Sequence, residues 1–102
     1  MPDVFTTGWW KPFPGQEAEF VEAWVEFATW ASELPGAGTA RLTRDLRDPE
    51  DFVSFMEWES IEAVRAWKGS SEFKERMGRV QKYVDKFSPT ELVLVASAGA
   101  PR

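Results

Sequence analysis

The chain has 102 residues, a formal net charge of −5, six Trp and eight Phe, and contains neither Cys nor His. That length supports one hydrophobic core, and its scattered Lys and Arg argue against nucleic acid or an anionic membrane as partner, since both need a basic face. Without imidazole or thiolate, its side chains cannot build the usual zinc, copper or haem-iron sites, nor a Ser–His or Cys–His nucleophile.

Aromatic residues make up 15% of the chain. That share points to an aromatic-lined pocket, a buried subunit contact or simply an aromatic-rich core. No apolar run reaches the roughly 18 residues of a membrane-spanning helix. Met1-Pro2-Asp3 opens without a basic and apolar leader. With no Cys to oxidise, the expectation is a soluble cytoplasmic protein, one domain over residues 1–102 with a frayed tail from 98 to 102.

Val4 to Trp10 alternates as a strand, with Phe5, Thr7 and Trp9 on one face and Val4, Thr6 and Gly8 on the other. Pro12, Pro14 and Gly15 interrupt it. From about Gln16 to Leu34, Phe20, Trp24, Phe27, Ala31 and Leu34 recur at helical spacing, with Glu17, Glu19, Glu22 and Glu26 largely off that stripe. Pro35-Gly36 ends this helix. Trp30 lies off the stripe, and an exposed Trp there suggests a subunit contact.

Thr39 to Leu46 alternates as a second strand. Arg47-Asp48-Pro49-Glu50-Asp51 reads as a turn leading into an antiparallel partner. Asp45, Asp48, Glu50 and Asp51 mimic a calcium loop in composition, but the spacing lacks its glycine and terminal Glu, so a solvated turn is the better reading. Phe52 to Glu59 is the third strand, with Phe52, Ser54, Met56 and Trp58 sharing one face. Ser60 caps a short helix whose inward stripe is Ile61, Val64 and Trp67. Gly69 ends it, and Ser70 or Ser71 caps a longer helix with Phe73, Met77, Val80 and Val84 along its core face. Ser88-Pro89 then separates that helix from a fourth strand, Glu91 to Ser97, apolar on both faces from Leu92 to Ala96.

The order β-α-β-β-α-α-β predicts an α+β fold, a ferredoxin-like split βαβ sandwich with an antiparallel sheet. The last strand falls at an edge in that topology. An apolar edge needs a cover, and the economical one is a second copy, hence a homodimer through strand four. RNA-recognition domains share the topology, yet Phe52-Val53-Ser54-Phe55 lacks their flanking basic residues. A ligand-sensing regulatory domain of the same topology stays open.

Met56-Glu57-Trp58-Glu59-Ser60, Glu62-Ala63, Ala66-Trp67 and Ser71-Glu72-Phe73 resemble the signature of the antibiotic biosynthesis monooxygenase (ABM) domain. The resemblance runs over most of the chain and implies a dimeric α+β barrel with one pocket per subunit. In the cofactor-independent branch, which oxidises anthrone-like phenols with oxygen, the strand-three Trp matches Trp58. That branch's Asn is Ser54 here, its Tyr is Val64, and its basic residue corresponds to Lys74 or Arg76. In the haem-degrading branch a Trp matches Trp67, the iron-ligating His becomes Met77, and a strand-one Asn falls near Thr7. A thioether replaces that ligand poorly, so the resemblance does not extend to haem turnover.

The reading is a monooxygenase that uses oxygen and no cofactor on an electron-rich aromatic or polyketide-like molecule. Trp58, Ser54 and Lys74 are its candidate catalytic residues, and Trp67, Thr7, Met77, Trp24, Phe27 and Arg76 its candidate substrate-binding ones. The alternative is a non-catalytic dimer of the same fold that binds a small hydrophobic ligand. A cyclase or isomerase ranks last, lacking a His and having only Tyr83 as phenolic acid-base group.

Overall fold

β1 (Val4–Pro12) occupies an inner position of the sheet in the computed structural model, which describes residues 3–99. Its residues alternate strictly: Val4, Thr6, Gly8, Trp10 and Pro12 are buried, while Phe5, Thr7 and Trp9 are half-buried on the reverse face. β3 (Phe52–Trp58) pairs antiparallel with it and lays Phe52, Ser54, Met56 and Trp58 on the same inner face, as the sequence predicts. β2 (Ala37–Arg44) pairs with β3 and β4 (Val84–Val93) with β1, giving the order β2-β3-β1-β4.

α1 (Glu17–Ser32), α2 (Ile61–Lys68) and α3 (Ser71–Gln81) form the second layer, with α1 packed on α3. α1 buries the expected stripe of Phe20, Trp24, Phe27 and Ala31, plus Ala28, and carries Glu17 and Glu19 in its first turn, where negative charge suits the helix dipole. Gly36, in the loop that follows, has φ 82°, and a Cβ there would lie 2.9 Å from the Ala63 side chain. Both the backbone and the space therefore demand glycine. Ser60 and Ser70 accept the backbone N–H groups of Ala63 and Phe73, so each short helix starts at a satisfied cap. The result is the ferredoxin-like α+β fold, and among the described residues no helix is long and apolar enough to cross a membrane.

The fourth strand differs from its prediction. It starts at Val84, not Glu91, and ends at Val93, not Ser97. α3 stops at Gln81, and the chain is then captured by β1: Phe13 N–H donates to the Tyr83 carbonyl at 3.0 Å and Pro12 pairs with Val84. Val84 is buried, and an inward valine fits a helical stripe and a strand start alike, so hydrophobicity cannot separate the two there. Pro89 does not break the strand, because β4 is an edge and tolerates a missing N–H. Val4 pairs with Val93, Leu94 N–H still donates to the Asp3 carbonyl, and Val95 is exposed. Of the expected frayed tail, residues 100–102 lie outside the described ones.

Trp30 is half-buried rather than exposed. Its ring lies 5.8 Å from Phe27, with the Arg76 guanidinium 5.0 Å above it. The acidic turn is a solvated one: Asp45 Oδ1 accepts the backbone N–H groups of Arg47 and Asp48. The Asp48 and Arg47 N–H groups hold its carboxyl below the ordinary Asp range.

Candidate functional site

A cavity of about 230 Å³ lies between the sheet and the helices. Helix α1 supplies Trp24, Phe27, Ala28 and Ala31, and the α2–α3 corner supplies Trp67, Lys68, Phe73 and Met77. From the sheet come Thr6, Gly8, Trp10, Ala40, Ser54 and Met56, closed off by Phe87 and Pro89 of β4. The volume sits just below the usual range for small-molecule sites, room for one compact planar molecule.

The corner is built from interlocked rings. Trp67 stands edge-on to Phe73 at 5.0 Å and lies 5.9 Å from Phe27, while Trp58 backs it at 4.7 Å. Tilted and edge-to-face pairs of this kind hold one another in place beyond the area they bury. Trp67 Nε1 is buried and has no hydrogen-bond partner among the described residues. On the sheet side, Trp10 is wedged between Phe20 at 5.4 Å and Phe87 at 4.1 Å.

Two hydroxyls interrupt this apolar surface. Trp10 Nε1 donates to Ser54 Oγ at 2.9 Å, and Trp58 Nε1 donates to Thr6 Oγ1 at 3.1 Å. Thr6 and Ser54 are the buried polar side chains among the described residues. Lys68, part-exposed, is the cation on the wall, and its Nζ is held 3.0 Å from Glu91 Oε2 of β4. Among the described residues no three acidic side chains cluster as a metal site would need.

The nine residues singled out from sequence divide accordingly. Ser54, Trp67, Met77, Trp24 and Phe27 line the cavity. Thr7 borders it, but strand alternation turns its side chain to the reverse face, and Thr6 takes the inward place. Trp58 is fully buried behind Trp67, bracing the wall rather than forming it. Lys74 is exposed on α3 away from the lining, and Arg76 is occupied by Glu72 at 2.9 Å and the Trp30 ring. Sequence reasoning missed Thr6, Trp10, Lys68 and Phe73 as lining residues. The phase of Trp10 and Thr6 was recoverable from pairing, since Trp10 lies opposite the inward Phe52. Nothing in the sequence marks Lys68.

Fold and cavity together define a small α+β protein with an aromatic pocket between its sheet and its helices. The family model for antibiotic biosynthesis monooxygenases matches residues 7–79, and the chain belongs to that family. It is 29% identical over 70 residues to Protein SchA of Streptomyces halstedii, a stretch covering 69% of this chain but only 18% of SchA. Among solved structures it is similar to a variant of SnoaB, a cofactor-independent oxygenase from Streptomyces nogalater, with TM-score 0.84 and 16% identity over the whole of both chains. A protein from Methanosarcina mazei Go1 superimposes with TM-score 0.82 and 17% identity over 93% of this chain and 95% of its own. At such identities the structural likeness concerns the fold.

Proposed function

We propose that this chain is a cofactor-independent monooxygenase that oxidises a small, planar, electron-rich aromatic molecule with oxygen. The observation that carries the reading is the cavity itself: ring-lined walls with two hydroxyls as the polar part of the floor. A ring substrate packs against Trp67, Phe27 and Trp24, and its phenolic or enolic oxygen meets the hydroxyls. The substrate enters as its anion, its proton already released to solvent, and that anion passes an electron to oxygen. Recombination at carbon and loss of water convert CH2 plus O2 into C=O plus H2O, with no further electron donor. Residues here orient the ring, exclude water and favour the anion. The similarity to SnoaB, described as a cofactor-independent oxygenase, supports this class of chemistry.

Oxygen uptake tests it, with purified protein and no added metal or flavin, across a panel of anthrones and hydroquinones. Saturable uptake above the spontaneous rate, lowered at least tenfold in Ser54→Ala, is the expected result. Uptake indistinguishable from the spontaneous rate across the panel refutes it. One observation favours a second reading, a non-catalytic binder. Among the described residues no carboxylate lines the cavity, and the one ionisable side chain that does, Lys68, is already paired. Saturable binding of the same compounds without uptake selects that reading.

The partner we assign is a second copy of the chain. The helices cover one face of the sheet, while Phe5, Trp9, Val53 and Phe55 lie on the other, with Leu92 beside Phe5. Phe55 is 44% and Leu92 47% exposed. The edge argument is narrowed, since β4 is largely polar and only Leu92 and Val93 of the apolar run lie in it, with Leu94 and Val95 exposed just beyond.

A further inference from the structure

Each buried hydroxyl of the cavity floor accepts an indole N–H, and neither donates to any acceptor among the described residues. A hydroxyl carries one proton, and once an N–H occupies one side of its oxygen that proton turns elsewhere. The described residues offer it nothing, and the opening beside both groups is the cavity they line. Leaving two buried donors unmade is costly, so their partner is to be sought in the occupant.

We infer that Trp10–Ser54 and Trp58–Thr6 are two donor relays that select ligands presenting an anionic or strongly accepting oxygen along one edge. In each relay the hydroxyl is the group that touches the ligand, and the indole is a positioning residue that fixes which way the hydroxyl proton points. An N–H donating into the oxygen also polarises the O–H, strengthening the bond it gives by a modest cooperative increment. The register places the two side by side: Thr6 lies opposite Met56 and Gly8 opposite Ser54, making Thr6 and Ser54 diagonal neighbours on one face. Gly8 is part of the device. A Cβ there would come within 2.7 Å of Trp10 Nε1 and 3.0 Å of Ser54 Oγ, directly in the first relay.

The charged groups around the floor are consistent with an acceptor ligand. Glu91, opposite Thr6 in the β1–β4 register, has its carboxylate held by Lys68 Nζ at 3.0 Å. The nearby negative charge is thereby paired with a cation. This inference deepens the proposed function by naming what the substrate must carry, and it stands on binding rather than turnover.

The test uses 4-nitrophenol, whose phenolate is read from its visible band, titrated against pH with and without saturating protein. An apolar cavity alone raises a bound phenol's pKa, whereas donors aimed at its oxygen lower it, so the sign decides. The expected result is a lowered apparent pKa, relaxed upward by about one unit in Ser54→Ala and again in Thr6→Val, with Thr6→Ser restoring it. Trp10→Phe, which keeps the Ser54 hydroxyl and removes only its director, gives part of the Ser54→Ala change. A raised pKa, no binding at millimolar phenol, or a lowered pKa lost in Lys68→Met but kept in Ser54→Ala and Thr6→Val overturns the inference. The readout needs no oxygen. A lowered pKa without oxygen uptake sinks the catalytic reading alone, and uptake with a raised pKa sinks the relays alone.

Discussion

Gly8→Ala adds one methyl at the centre of the site, and its effect follows from the distances. Gly8 sits in the extended backbone of β1 without a positive φ, so alanine meets no backbone strain there. Stiffening the unfolded chain by itself favours alanine by about 0.5–1 kcal/mol. Opposing this, the new Cβ would stand 2.7 Å from Trp10 Nε1, 3.0 Å from Trp10 Cε2 and 3.0 Å from Ser54 Oγ. Something must move. The indole cannot swing away freely, because Trp10 is 3% exposed and stacked on Phe87 at 4.1 Å. Overpacking of this kind costs about 1–3 kcal/mol, and loss of the Trp10–Ser54 hydrogen bond adds roughly 1 kcal/mol. The net expectation is a destabilisation of about 1–3 kcal/mol, a fall in Tm of roughly 5–20 °C for a chain of this size. Thermal unfolding followed by circular dichroism measures it. A Tm equal to or above the parent's refutes the reasoning, since Trp10 would then have room that this packing denies it.

Two further outcomes follow from surface features. Light scattering or sedimentation should give the mass of a dimer for the parent chain and of a folded monomer for Phe55→Lys, which places a charge on the open sheet face; a monomeric parent removes the argument for a covering copy. The Asp45 carboxyl, held below the usual Asp value of 3.8 by the Asp48 and then the Arg47 N–H groups, should titrate below that value by NMR. Because its folded pKa is the lower one, its contribution to stability is present above the unfolded carboxyl range and fades as pH falls through the folded value, whereas Asp45→Asn is insensitive over that window.

Much of the fold was legible because periodicity and punctuation agreed. The Phe20-Trp24-Phe27-Ala31 stripe, the Ser60 cap and the Phe52-Ser54-Met56-Trp58 face each satisfy a local rule that packing does not override. The end of α3 was not legible, since Val84 satisfies a helical stripe and a strand face equally well. What decides is a long-range event, pairing with Pro12 and Phe13, that no window around Val84 contains. The site shows the same division. Ser54 and Trp67 were visible through a local pattern, whereas Lys68 depends on where the C-terminus of α2 meets β4.

The adjacent pair Trp9-Trp10 shows why tertiary context is needed even for a clean alternation. Both rings are equally apolar, so strand periodicity says only that one faces in. Choosing Trp10 requires knowing that β1 pairs with β3 so that Trp10 meets Phe52. That one choice of phase also brings Thr6 inward in place of Thr7, Gly8 under the indole, and the Ser54 oxygen to within 2.9 Å of an N–H. In a chain with no His and no Cys, polar chemistry in the interior has few carriers left. Hydroxyls backed by indoles supply donors without introducing a buried charge, whose desolvation would cost far more than a neutral hydrogen bond returns. A His-free site of this type is thus suited to stabilising an anion brought by its substrate, and poorly suited to removing a proton with a base of its own.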